Sequence, residues 1–209
     1  MPSALCVRAP HPTCATMTFN DRTSLLSHLR TRRSGKPRDM IAPGPADAEL
    51  DAMIAVAART PDHGKLAPWR FVVVPADRRA ALAALLRDAF TAANPDATAP
   101  QLEACDRFAH EGQALVVMLF SPVVPSHIPL WEQQLSAGAA AMNLLHAGHA
   151  LGYVGSWLTG WAAESAQVRD AFGSGDETIV GFFYFGTPGR ALDERPRPDP
   201  ARIGTRWDG

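Results

Sequence analysis

Ala57-Ala58-Arg59-Thr60-Pro61-Asp62-His63-Gly64-Lys65-Leu66-Ala67-Pro68-Trp69-Arg70-Phe71-Val72-Val73-Val74 decides how the chain is read. A helix ends here, a polar loop follows, and a strand begins. Pro61 biases Thr60 away from helical backbone, so the helix stops there. Pro68 sets up extended backbone, and the valine run reads as a strand with both faces covered. Arg59, Asp62, His63 and Lys65 crowd the turn between the two prolines. So many polar side chains at a helix-to-strand turn mark a candidate site, although a solvated turn has the same composition.

Upstream, Leu50, Met53, Ile54 and Ala57 recur at helical spacing, with Asp47 and Glu49 in the first turn where the dipole favours them. Leu25, Leu26 and Leu29 give a short helical stripe before Arg32. Downstream, helices are predicted from about Arg78 to Ala93 and from Gln101 to His110, then an apolar strand over Ala114–Phe120. Leu130–Leu151 reads as a central, buried helix ended by Gly152. A short helix over Ser165–Phe172 and a strand over Thr178–Gly186 follow. Widely separated strands among helices indicate an α+β fold.

With 209 residues, 46% hydrophobic and 20% charged, the composition is that of an ordinary globular chain. A net charge of -1 implies no general attraction to nucleic acid or to an anionic membrane. Cys6, Cys14 and Cys105 form no CxxC pair, and their odd number suits reduced thiols in a cytoplasmic protein. No apolar run reaches membrane-spanning length. Residues 1–16 have three prolines, no periodicity and no continuous apolar core of a signal peptide. They read as a disordered extension, as a mis-assigned start codon would give. Residues 17–209 then form one domain, with a proline- and arginine-rich tail after Pro188.

Arg32-Arg33-Ser34 offers guanidinium forks and a hydroxyl donor, a set able to hold a phosphate monoester. A basic helix end has the same residues. No Gly-x-Gly-x-x-Gly follows a strand, which leaves a Rossmann dinucleotide site unsupported, and no hydrolase elbow or HExxH occurs. His146 and His149 stand three apart on the central helix without a Glu or Cys at matching distance, so they read as core histidines and no metal is expected.

In their order and spacing, Arg-Arg-Ser at 32–34, Ala-Arg-Thr-Pro-Asp-His at 58–63 and Pro-Trp-Arg-Phe-Val-Val-Val at 68–74 resemble the FMN-dependent nitroreductase family. The small bacterial NAD(P)H nitroreductase branch is the nearest match, and the likeness runs from about Ser24 to about Pro200. It implies a central sheet wrapped by helices in an intertwined homodimer, with a C-terminal extension that reaches the partner. It also implies FMN contacts at Arg32, Arg33, Ser34, Arg59, His63, Trp157, Leu158 and Thr159, with Arg59 serving the partner's flavin. Contacts to NADH or NADPH are implied at Ala147, Gly148, His149, Ala150, Leu151 and Gly152. Many members carry Arg where Leu158 stands, so only a backbone contact carries over there. The implied activity passes hydride from NADH or NADPH through flavin N5 to a nitroaromatic, quinone or enone by a ping-pong mechanism. No protein acid or base is required, because the flavin carries the chemistry. The alternative is a non-catalytic flavin-binding or flavin-storage module.

Overall fold

Ala114–Phe120 (β3) is apolar at every position because helices cover both of its faces, and all seven residues are buried. The structure, a computed structural model, describes residues 18–209. The expected extension over residues 1–16 lies outside them. Side chains along β3 alternate between two layers. Leu115, Val117 and Leu119 pack with Leu82, Leu86 and Ala89 of α3 (Arg79–Ala93) and with Cys105 and Ala109 of α4 (Ala99–His110). Val116, Met118 and Phe120 face Leu50, Met53 and Ala57 of α2 (Asp47–Ala57) and Ala137, Ala140, Ala141 and Leu144 of α5 (Leu130–Ala150).

Every strand pairing among the described residues is antiparallel. β2 (Trp69–Val74) runs from Trp69↔Phe120 to Val74↔Leu115 along one side of β3. β5 (Thr178–Pro188) lies along the other side, with a register shift between Met118 and Leu119. The outer edge of β5 takes β4 (Val154–Leu158) and β1 (Met40–Ile41). The valine strand β2 therefore packs on both layers, as its composition predicts, yet ends the sheet order, which leaves Val72 and Val73 half-buried.

α5 packs against the sheet because its contact surface is small. A Cβ on Gly148 would stand 2.6 Å from Phe185 Cε1. The helix ends in a Schellman motif: Gly152 N–H donates to His149 O and Tyr153 N–H to Gly148 O, at 2.9 and 3.0 Å. Gly152 has φ +101°, the left-handed position that glycine adopts without steric cost. α1 (Leu25–Thr31) precedes the sheet, while α6 (Trp161–Glu164), α7 (Ala166–Phe172) and α8 (Pro200–Ile203) follow β4. No helix among the described residues is long and apolar enough to cross a membrane.

Candidate functional site

α1 starts at Ser24, whose hydroxyl accepts from Ser27 N–H at 3.0 Å, and stops at Arg32, where ψ of 133° turns the chain extended. Asn20 holds that extended segment: its Oδ1 accepts from Arg33 N–H at 2.8 Å and its Nδ2 donates to Arg33 O at 3.1 Å. The C-terminal tail folds back onto the same segment. Arg33 Nε donates to Asp193 O at 2.6 Å, and Arg197 Nη2 donates to Arg32 O at 3.3 Å. Arginines from both ends of the chain thus share one neighbourhood. Burial, then the nearby charges of Arg197, Arg33 and Arg195, hold the Arg32 guanidinium below its usual range. No carboxylate pairs with Arg32 among the described residues. Like charges gathered around a partly buried guanidinium are relieved by an anion, and a phosphate monoester supplies nearly two charges and three acceptors. The donor set therefore fits an FMN phosphate.

Beside the arginines lies a pocket of about 280 Å³ lined by Arg33, Ser34, Lys36, Ser156, Leu158 and Arg190, among others. Strand alternation on β4 decides which of its side chains reach it. Ser156 and Leu158 do. Trp157 points to the opposite layer, where its ring packs on Phe183 at 5.2 Å and its Nε1 donates to Val180 O at 2.9 Å. Thr159 is exposed just past the strand. The Arg-Arg-Ser segment and the 157–159 segment, 125 positions apart in sequence by their first residues, thus meet here through Leu158.

The polar loop after α2 is docked on α5. Thr60 Oγ1 donates to Ala57 O at 2.9 Å and accepts from Asn143 Nδ2 at 2.7 Å, and Ser136 Oγ donates to Pro61 O at 2.8 Å. Asp62 Oδ2 accepts from Ala67 N–H at 2.6 Å. Lys65 and Ala67 both hold positive φ, 56° and 49°, a conformation disfavoured for residues with a Cβ and concentrated at functional loops. His63 pairs through Nδ1 with Glu132 Oε2 at 2.7 Å, not with Asp62. Arg59 and His63 are exposed and contribute nothing to the Ser34 pocket of their own chain. Instead, His63 borders a shallow surface with Trp131, Glu132 and Leu135.

Ala147–Gly152 forms the end of α5. Ala147, Gly148 and His149 are buried, while Ala150, Leu151 and Gly152 are exposed. His149 Nε2 accepts from Gly155 N–H at 3.2 Å. Burial, then the charges of His28, Arg32 and His146, lower its pKa to about 3, so the ring is neutral. Ala147, Ala150 and Leu151 line a groove of about 670 Å³ together with Leu25, Leu29 and Val56.

Sequence reading missed Glu132, Ser156 and the strand character of Val154–Leu158. Val154-Gly155-Ser156-Trp157-Leu158 is short and contains a glycine, so the pattern looked like a turn; alternation of Val154, Ser156 and Leu158 was the available signal. Glu132 has none, because its partner is 69 residues away.

The family described as "Nitroreductase family" matches residues 29–187. A protein of Escherichia coli strain K12 named "Putative NAD(P)H nitroreductase YdjA" is 34% identical over 178 residues, covering 84% of this chain and 94% of that protein. Among solved structures, a nitroreductase-like family protein from Bacillus cereus superposes with a TM-score of 0.78 at 18% identity, over 90% of this chain and 97% of that one. The FMN and NADPH-dependent nitroreductase NfnB from sphigopyxis sp. strain HMH gives 0.67 at 16% identity, over 87% and 97%. On the length of the family match and the identity to YdjA, this chain belongs to the nitroreductase family.

Proposed function

We propose that this chain is an FMN-dependent oxidoreductase that takes hydride from NADH or NADPH and delivers it to a flat acceptor of the nitroaromatic, quinone or enone class. The observation that carries the reading is the basic cluster of Arg32, Arg33, Arg195 and Arg197 beside the Ser34–Ser156 pocket. YdjA is named as an NAD(P)H nitroreductase and NfnB as FMN- and NADPH-dependent, which supports the same chemistry here.

When bound, FMN supplies hydride acceptance and donation in two half-reactions. The protein's part is binding and orientation. Arg32, with Arg197 at lower weight, holds the phosphate by charge-assisted hydrogen bonds. Arg33 and Ser34 continue the contact toward the pocket. Backbone groups at Trp157, Leu158 and Thr159 serve the ring, and Leu158 adds apolar surface. Ala147–Gly152 borders the nicotinamide position. The site is shared in a homodimer: Arg59 and His63 reach the partner's flavin. Two features support sharing. Arg59 and His63 stand apart from the Ser34 pocket of their own chain. Leu25 at 75% exposure and Leu26 at 55% leave an apolar face of α1 open for a second copy. A cytoplasmic location, which suits the odd number of cysteines, completes the proposal.

Flavin absorbance of the purified protein, followed by anaerobic addition of NADH or NADPH, tests the reading. Bound flavin that bleaches before any acceptor is added is the expected result. Initial rates at several fixed acceptor concentrations should then give parallel double-reciprocal lines, since one cleft must take donor and acceptor in turn. Intersecting lines would replace the shared cleft with two sites. Flavin that no nicotinamide bleaches would make the chain a flavin-binding module instead.

A further inference from the structure

α1 and α5 bring three histidines together. His28 is 6% exposed and His149 fully buried, while His146 is half-buried and lines the groove beside α1. One ring nitrogen from each lies within 4.8 Å of the others. His28 Nε2 and His146 Nδ1 are 3.0 Å apart. Two further nitrogens, His28 Nδ1 and His149 Nδ1, are buried without a hydrogen-bond partner. A buried polar atom left unpaired costs about 1–3 kcal/mol. An ion held by His149 Nδ1 would give one of them a partner.

We propose that His28, His146 and His149 form a three-imidazole site for a divalent transition-metal ion of the Zn²⁺ class. Imidazole nitrogen is a preferred donor for such ions, and three histidines with a fourth position left to solvent are a known zinc arrangement. Metal–nitrogen bonds of about 2.0–2.1 Å in a tetrahedral site place donor nitrogens roughly 3.3–3.4 Å apart. The 3.0 Å pair is near that spacing, and with all separations within 4.8 Å His149 has to close by at most about 1.5 Å. His146 borders the groove beside α1, the side that the proposed second copy would cover, so the ion enters before the two chains pair. Each ring already has its neutral form; ligation by His28 Nε2 leaves the His28 ring proton on Nδ1, and ligation by His149 Nδ1 moves its proton to Nε2. Nε2 then carries the proton and can no longer accept the 3.2 Å bond from Gly155 N–H, so the His149 ring has to turn away from that donor. Three coordinate bonds replace that one hydrogen bond and the His28–His146 contact. The Arg32 charge, felt at all three rings, opposes the ion, so affinity depends on all three ligands acting together. The site shares His149 with the segment assigned to the nicotinamide, and its test by metal binding does not require flavin.

The test uses the full chain, stripped with a chelator and dialysed against Zn²⁺ alone, with Co²⁺ as the spectroscopic probe. Wild type should bind one ion per chain in the site, raise its thermal midpoint with Zn²⁺, and show the absorption of four-coordinate cobalt. His146→Ala alters a half-exposed side chain and retains the fold, as its unchanged circular dichroism should show. His28→Leu replaces a buried ring by an apolar side chain. Each should weaken Zn²⁺ binding about tenfold or more and abolish the four-coordinate cobalt spectrum. A wild-type chain that takes up no stoichiometric ion overturns the proposal. So does a folded His146→Ala variant that binds Zn²⁺ as tightly as wild type, since the ion would then sit elsewhere.

Discussion

His63 Nδ1 lies 2.7 Å from Glu132 Oε2, tying the polar loop to the first turn of α5. The two side chains are 64% and 29% exposed, so the pair contributes about 0–1 kcal/mol to stability. Its effect is on direction: the carboxylate fixes Nδ1–H and leaves Nε2 facing outward. Under the shared-site reading, Glu132→Gln should leave the thermal midpoint nearly unchanged and lower flavin affinity severalfold, and His63→Ala should do the same. Flavin titration alongside thermal unfolding measures both. A variant that loses stability but binds flavin normally would make the pair a structural clamp.

Arg32→Ala should remove a charge-assisted phosphate contact of about 1.5–3 kcal/mol, which is roughly tenfold or more in FMN affinity. The flavin-free protein should not be destabilised in parallel, because Arg32 lies among like charges. Fluorescence titration of the apoprotein gives the first quantity and thermal melts without flavin give the second. An unchanged dissociation constant would remove Arg32 from the phosphate site.

Arg59 is exposed at the end of α2 and has no part in the pocket near Ser34. Arg59→Ala should therefore fold and dimerise normally while its flavin occupancy falls. Light scattering and the flavin-to-protein absorbance ratio, taken on one sample, report both. A monomeric wild type with full flavin occupancy would overturn the shared site.

Glu177 gives a pH prediction separate from the site. Its carboxylate accepts from Arg70 Nε at 2.9 Å and Nη2 at 3.0 Å, from Ser174 N–H at 2.9 Å and from the Ser121 hydroxyl. Arg70 is the leading cause that lowers its pKa to about 2 from an ordinary 4.5. A folded pKa below the unfolded one means the stabilisation is complete above pH 4.5 and is lost as pH falls toward 2. Its size is at most about 3 kcal/mol at neutral pH. Glu177→Gln should be less stable than wild type at pH 7, with the difference shrinking steadily below pH 4.5. Urea unfolding at several pH values would show this; a constant difference down to pH 2 would remove the ionised carboxylate as its source.

Local patterns were enough to place most elements. Ala114–Phe120 was readable as a strand because seven apolar residues in a row need two covered faces, and α5 because small residues and a glycine stop framed it. The Arg-Arg-Ser triplet and the loop after Thr60 were legible as candidate sites because their chemistry is carried by adjacent residues. Tertiary structure alone decided the rest. The alternation of β4 sends Leu158 toward Ser34 and Trp157 toward Phe183, an assignment that depends on which edge β5 offers. The docking of α1 on α5 puts His28 beside His146, 118 residues away, and the fold of the tail puts Arg197 against Arg32, 165 residues away. Spacing along a chain encodes periodicity and local chemistry. Which distant groups touch is set by how the helices and sheet bury their apolar faces together, and no short stretch of sequence contains that sum.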